Sequence, residues 1–389
     1  MRKYLILIAS ITTLASFGQP LKVRLFSSYN LSNCWVTSYH ADYHILATDA
    51  NFHVIDTIDD LLEKGIVKTV HFKQNGSHIS IYKSGEDFGK YQGLYFVSNK
   101  NTGHFIISGK GADRIYNGNL FLRVYQGKLQ IINEVELESY VAGVVESEGG
   151  HVTEIEYFKA QAVLARTWVL KNKDKHIEEG YNVKDNISSQ AYYSKAYLQN
   201  SKAILQAVAE TKDSVLLDKN DALVFGAFHS NSGGQTSNSE DIWSQEISYL
   251  RSVPDSFSLK GDKATWEKKV EKTRFYAYFA NVLNLSKTDT ELQKAILAIQ
   301  MDKRKPWFDY NGKKVKMRNV RTEFKLKSSY FSVEELGDYV LLKGRGFGHG
   351  VGLSQQGAME MARQSFNYKE ILKFYFQNTH LGVLDRYHF

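Results

Sequence analysis

Three polar, glycine-rich stretches hold the side chains best suited to moving protons: Glu146-Ser147-Glu148-Gly149-Gly150, His229-Ser230-Asn231-Ser232-Gly233-Gly234, and the glycine ladder from Gly344 to Gly352. Each reads as a turn that follows a strand, and each bears one acid or one histidine: Glu148, His229 and His349. Loops at strand ends, positioned by a rigid scaffold, are where sites usually form. Carboxyl and imidazole groups are the common general acids and bases. Taken singly, the three read first as a capping glutamate, a hydrogen-bonded core histidine and a flexible glycine turn. Their spacing alone assigns no reaction. Other signatures fail. The ladder has glycine at every second position, so it never makes G-x-G-x-x-G, and no Lys-Ser or Lys-Thr follows it. Ser232 lacks the glycine two residues before it that a nucleophile elbow requires. No H-E-x-x-H occurs.

The elements that must position these turns are of two kinds. From about Val23 to Leu129 the pattern is strand-like. Val70–Lys73 and His78–Tyr82 are joined through Asn75-Gly76, and Arg114–Tyr116 and Leu120–Tyr125 through Asn117-Gly118. Both read as hairpins. Leu129–Val135 continues as a strand. A helix is expected over about Ile155–Lys173; it is apolar nearly all round, so it should be buried. Lys159 and Arg166 nevertheless sit seven residues apart on one of its faces, and buried cations must find anions or polar partners. A second helix is expected at about Ser201–Thr211, a strand at about Asp221–Phe228, another at Tyr339–Lys343, and helices at Ser354–Gln364 and Tyr368–Phe376. Residues 260–327 read as charged and partly helical, with Lys303-Arg304-Lys305 as a solvated turn.

Five ordered blocks resemble one family. They are Glu138-Ser139-Tyr140-Val141-Ala142-Gly143-Val144-Val145-Glu146-Ser147-Glu148 with Lys159-Ala160-Gln161-Ala162-Val163-Leu164-Ala165-Arg166-Thr167; His229–Gly234; Glu240-Asp241-Ile242-Trp243; Tyr249-Leu250-Arg251-Ser252-Val253; and Gly344–Gly352 with Leu353-Ser354-Gln355-Gln356-Gly357-Ala358. Together they look like the signature of the stage II sporulation protein D (SpoIID)/LytB family, over about Arg114 to Leu381. The resemblance implies an α+β catalytic module with a glycan-binding groove at 114–389, preceded by a β-rich region at 20–113 that it does not cover. It implies a lytic transglycosylase acting on glycan strands stripped of stem peptides, with Glu148 as the catalytic acid and Lys159 and Arg166 as helpers. Gln161, His229, Ser230, Ser232, Gly233, His349 and Gln355 are expected to bind substrate or hold the loops, and Tyr192, Trp243 and Phe347 could stack on sugars. Other members are described as enhancers of wall amidases, so an amidase is a second possible partner beside the glycan.

One glutamate suffices for this chemistry. An ordinary glycosidase needs a second carboxylate, whereas a lytic transglycosylase uses the muramic acid's own 6-hydroxyl. Acid duty near neutral pH requires a raised pKa, which an apolar pocket supplies and nearby cations oppose. Lys159 and Arg166 are therefore expected to hold a substrate carboxylate or the loop rather than touch Glu148. Glu146 is the rival acid, otherwise a solvated loop charge. Where many relatives carry two cysteines and a histidine, this chain aligns Lys184, Ser188 and Ser189, so no metal or other cofactor is expected.

Composition sets the bounds. Arg2 and Lys3 precede an apolar run from Tyr4 to Phe17, which reads as a signal peptide over 1–19. That run falls short of the about 20 apolar residues a span needs, and the mature chain should be exported, periplasmic or extracellular, without a membrane span. The single cysteine, Cys34, excludes an intramolecular disulfide. A hydrophobic content of 43% excludes global disorder. The net charge of +7 would suggest nucleic acid in a cytoplasmic protein; after an export signal the natural polyanion is the cell wall or the outer face of a membrane, and no nucleic-acid partner is expected.

Overall fold

The computed structural model describes residues 20–39, 43–49, 52–58, 69–98, 103–149, 154–193 and 201–384. The expected signal peptide lies outside the described residues. Alternation builds the first half. In Leu21–Leu25 the apolar Leu21, Val23 and Leu25 are buried while Lys22 and Arg24 stay partly exposed, the period of two expected of a strand with one wet face. A seven-stranded sheet runs in the order Val183–Lys184, Leu21–Leu25, Lys128–Val135, Asn119–Tyr125, Gly93–Ser98, Tyr43–Thr48, Val54–Thr57. A six-stranded sheet runs Arg114–Asn117, His104–Ser108, Asn33–Tyr39, Thr69–Asn75, His78–Lys83, Glu86–Tyr91. Their inner side chains share one core: Phe105 of the second sheet packs edge-on to Tyr43 and Phe96 of the first, at 6.0 and 6.1 Å.

The Asn75-Gly76 hairpin forms as expected. Asn117-Gly118 does not make one. Arg114–Asn117 pairs with His104–Ser108, whereas Asn119–Tyr125 pairs in the other sheet, so Gly118 is the corner between sheets. Its φ is +86°, and a Cβ there would lie 2.2 Å from the Glu134 carbonyl oxygen. The Asn133 amide closes the corner by donating to the carbonyls of Asn117 and Asn119 at 2.9 and 3.0 Å.

The fold is α+β. Helix α1 (Leu137–Gly149) follows the last strand of the large sheet, and α2 (Ile155–Lys171) lies against it. Helix α3 (Ser201–Glu210) and, further on, α4 (Ser239–Trp243) come next in the chain. The chain closes with α8 (Gln355–Arg363), α9 (Tyr368–Tyr375) and a final strand, Thr379–Val383. Helix α2 touches α1, α3, α8, α9 and the strand Ser214–Asp218, which is why it is apolar all round. Arg166 is fully buried in it. Its guanidinium donates to both carboxylate oxygens of Glu138 at 2.8 and 2.5 Å and to the Ser214 carbonyl at 2.9 Å. Lys159 pairs with Glu156 and, across to α3, with Glu210, at 2.6 and 2.7 Å.

Between α4 and α8 the chain builds a second apolar core. A three-stranded sheet in the order Thr265–Glu271, Tyr339–Arg345, Phe331–Leu336 is joined by α5 (Lys272–Leu283), α6 (Thr290–Leu297) and α7 (Met317–Glu323). Phe275, Phe279, Leu292, Ile296 and Val320 fill it; the charged composition of 260–327 describes its outer surface. Arg304, expected in a solvated turn, is half-buried and donates to the Gln235 and Ser232 carbonyls at 2.6 and 2.7 Å. It ties this second core to the His229–Gly234 loop. The expected strand over Asp221–Phe228 is reduced to Phe228–His229, because the segment before it runs irregularly, with the amide of Phe225 held by the Tyr249 hydroxyl at 2.8 Å.

Breaking a buried charge pair by removing one partner costs about 3 kcal/mol or more. Arg166→Met is therefore expected to lose stability of that order in denaturant unfolding, with α1 loosened from α2. Unchanged stability combined with lost activity would instead make Arg166 a substrate-binding group.

Candidate active site

Glu148 sits in the last turn of α1, not on a turn after a strand. Val141, Val144 and Val145, which suit strands locally, are buried within this helix; tertiary packing overrides the local preference. Among the described residues the Glu148 carboxylate accepts one hydrogen bond, from the Ala191 backbone N–H at 3.0 Å. The Ser147 hydroxyl accepts from the Tyr193 N–H at 3.0 Å, so residues 191–193 lie across the helix end. Burial raises the Glu148 pKa; the Ala191 hydrogen bond and the charge of Lys263 pull the other way. The C-terminal position adds to the rise, since the partial negative charge of a helix C-terminus disfavours a carboxylate. Tyr140 and Tyr157 stand close enough for the Glu148 charge to raise their hydroxyl pKa values further, on top of burial.

The cations of α2 are engaged elsewhere, Lys159 with Glu156 and Glu210, Arg166 with Glu138. Glu146 is buried in α1 at 4% exposure rather than standing as a solvated loop charge. Gln161 is fully buried, with neither end of its amide hydrogen-bonded among the described residues. It lies one turn along α2 from Tyr157, on the same face.

The two other turns zip together. Asn231 and Phe347 exchange backbone hydrogen bonds at 3.0 and 2.8 Å, and Phe228–His229 pairs in parallel with Leu353–Ser354. Glycine is demanded by this close approach: a Cβ at Gly346 would lie 2.7 Å from the Asn231 carbonyl oxygen, and one at Gly352 2.2 Å from that of Ala227. Gly233 meets the backbone of Arg345 in the same way, while the Ser230 carbonyl accepts from the Gln356 N–H at 3.1 Å. Ser232 donates to the buried Asp255 carboxylate at 2.7 Å, which also accepts from Ser258 and Tyr375. Ser354 caps α8 and receives the Ser232 N–H at 3.1 Å. Gln355, the next residue, reaches the Glu148 carbonyl with its amide at 3.3 Å. Through it the zipped loops abut the end of α1.

His229 is buried, its Nδ1 facing the Val351 carbonyl at 3.1 Å; loss of solvent holds its pKa well below the imidazole range, and the charges of His349 and Arg304 add to this. His349 accepts from the Val351 N–H at 3.0 Å, and desolvation pushes it down to about 4. Its ring lies between His229 and Trp243 at 5.5 and 5.2 Å. Both imidazoles are thus neutral at neutral pH and brace the loops. Tyr192 is core rather than sugar platform: it is fully buried, and its hydroxyl donates to Asn133 at 3.0 Å. Phe347 is half-exposed, with the ammonium groups of Lys263 and Lys327 over its ring at 5.8 and 4.8 Å. Lys263 carried no signal in the sequence. Among the described residues no group of three or more His, Cys, Asp or Glu could hold a metal, and no helix is long and apolar enough to cross a membrane. The loop at Lys184–Ser189 is closed by hydrogen bonds, the Ser189 hydroxyl accepting from the Lys184 N–H at 3.1 Å.

A family model described as "Stage II sporulation protein" matches residues 125–217, from the last strands of the large sheet through α1, α2 and α3. The chain belongs to the stage II sporulation protein D family. Stage II sporulation protein D of Bacillus subtilis (strain 168) is 32% identical over 296 residues, 72% of this chain and 83% of that protein. The protein of the same name from Bacillus amyloliquefaciens is 32% identical over 305 residues, 74% of this chain and 86% of that one. The amidase enhancer of Bacillus subtilis (strain 168) is also similar, 27% identical over 289 residues, covering 61% of this chain and 40% of the enhancer.

The raised Glu148 pKa has a thermodynamic consequence. The folded state holds this proton more tightly than the unfolded chain, whose glutamates titrate near about 4.3. The stability it contributes is full below that value and is lost as pH rises through the raised folded value. Glu148→Gln is therefore expected to be at least as stable as the parent at pH 7. Relative to the variant, the parent should gain stability on acidification through the window just above the ordinary carboxyl range. Parallel curves of unfolding free energy against pH for the two proteins would contradict this.

Proposed function

We propose that this chain is an exported peptidoglycan lytic transglycosylase, with residues 114–389 as its catalytic module and 20–113 as an accessory region. The observation that carries the reading is the Glu148 carboxyl: a partly buried acid of raised pKa at a helix end, one N–H bond on it and the neighbouring cations of α2 turned away. Protonated Glu148 gives its proton to the glycosidic oxygen between N-acetylmuramic acid and N-acetylglucosamine as that bond breaks. The carboxylate left behind takes the proton of the muramic 6-hydroxyl while its oxygen closes on the anomeric carbon. The products are a 1,6-anhydromuramic end and a free hydroxyl on the leaving sugar, and Glu148 regains its proton. Water takes no part, so no second carboxylate is called on. Neutral His229 and His349, Ser230, Ser232 and Gly233 keep the loops in place, and Gln355 holds the end of α1. Lys263 and Phe347 are positioned for substrate, the cation for a muramic carboxylate and the ring for a sugar face. The basic start and apolar run at 1–19 support export.

The second reading, a wall-binding enhancer of an N-acetylmuramoyl-L-alanine amidase without activity of its own, is favoured by the similarity to a protein named amidase enhancer. Product analysis separates the two. Purified protein incubated with amidase-treated peptidoglycan is expected to yield anhydromuramic ends by mass spectrometry, lost in Glu148→Gln by at least about 100-fold, the usual scale for removing a general acid. Reducing ends would mean hydrolysis. No products, with wall binding intact, would favour the enhancer.

Lys263 gives an independent check. It lowers the Glu148 pKa, so Lys263→Met is expected to move the alkaline limb of the pH–rate profile to higher pH and to raise KM for carboxylate-bearing strands. An unmoved limb would place Lys263 outside the site.

A further inference from the structure

The β-rich region carries a surface its core does not need. Along the six-stranded sheet, Cys34, Val36, Val70, Phe72 and Ile81 point inward and are buried. On the opposite face three aromatic residues stand in one cross-strand row: Trp35 directly opposite His71, and His71 directly opposite Tyr82. The Trp35 and His71 rings stack at 4.5 Å with 10° between their planes, and Tyr82 follows at 5.9 Å. Trp35 is 39% exposed. Neighbouring strands lie about 4.8 Å apart, so the row extends about 10 Å, roughly two sugar rings. Burial, helped by the charge of Lys73, lowers the His71 pKa from its ordinary imidazole value, which favours the uncharged ring.

An open cavity of about 920 Å3 borders this row, lined also by Thr69, Lys73 and Lys83. Ring surface lies at its centre, with Thr69 and Lys73 two residues to either side of His71 on the same strand. Sugars have the complementary character, with C–H faces that pack on rings and rims that accept hydrogen bonds. A neutral glycan would use the aromatic row alone; a glycan bearing carboxylates also uses Lys73. Cross-strand packing alone explains ring pairs within a sheet, but not an open cavity along an exposed ring row with an ammonium group at its edge.

We propose that the outer face of this sheet is a second, non-catalytic glycan site, in which Trp35, His71 and Tyr82 support sugar rings and Lys73 pairs with a muramic carboxylate. It rests on the cell-wall reading above, and it would keep the chain on a strand while Glu148 acts. The test uses the full mature chain carrying Glu148→Gln, so that no wall is cut, and measures its binding to immobilised glycan strands stripped of stem peptides by amidase and freed of phosphate-bearing polymers. Trp35→Ala and Lys73→Glu are each expected to bind at least tenfold more weakly, with Trp35→Phe retaining most of the affinity and unfolding temperatures unchanged. Undiminished strand binding by Trp35→Ala would overturn the proposal. So would a loss seen only with strands that keep their phosphate polymers, or a dimer that dissociates in Trp35→Ala while strand binding persists. The assay involves no bond cleavage, so a parent protein without lytic products would sink the catalytic reading and leave this result standing.

Discussion

The bidentate contact of Arg166 with Glu138 fixes the centre of the molecule. A guanidinium with no exposed surface has to be matched in both charge and hydrogen bonds, or its burial costs several kcal/mol. Glu138 in the first turn of α1 and the Ser214 carbonyl supply that match. The consequence is geometric: α1 cannot slide or rotate against α2 without unpairing the charge. Thr167, next in the chain, accepts the Leu216 N–H at 2.9 Å and so locks the same helix to the strand Ser214–Asp218. With both anchors set, the far end of α1 delivers Glu148 to one place, beneath residues 191–193 and beside Gln355.

That placement resolves a conflict between two demands on the glutamate. As the proposed acid it has to stay protonated near neutral pH, which favours burial and excludes cations, while the proposed substrate carries carboxylates, which favours cations nearby. The chain separates the demands in space. Lys159 and Arg166 spend their charge within the helical core, on Glu156, Glu210 and Glu138. Lys263, on the exposed loop leading into the second core, is a cation whose field reaches Glu148, and it stands over Phe347 rather than on the carboxylate. The glycine ladder serves the same end. By letting 346–352 lie flush on 227–233, it brings the second core and the loop with Lys263 up to the end of α1.

Much of this was legible in the sequence. The buried character of α2, the α+β class and the family were readable because contiguous residues carry them: a run apolar all round, a ladder with period two, five blocks in order. The failures share a cause. Asn117-Gly118 looks like a hairpin turn because that signal is local, whereas its flanking strands belong to different sheets. The Glu148 segment looked like a turn because Gly149-Gly150 suggested one, yet the helix continues through Gly149. Arg304 looked solvated because its acceptors, the carbonyls of Ser232 and Gln235, lie some seventy residues away in sequence. The partner of Arg166 and the position of Lys263 are likewise tertiary facts without a local pattern.

The central claim is that Glu148 is an acid held ready to donate. Its titration can be followed directly from the carboxyl carbonyl stretch in infrared difference spectra between the protein and Glu148→Gln. The account expects one carboxyl band, absent from the variant, that persists to pH values above the ordinary glutamate range. A Glu148 that titrates at or below that range would contradict it, and the catalytic acid would have to be sought elsewhere.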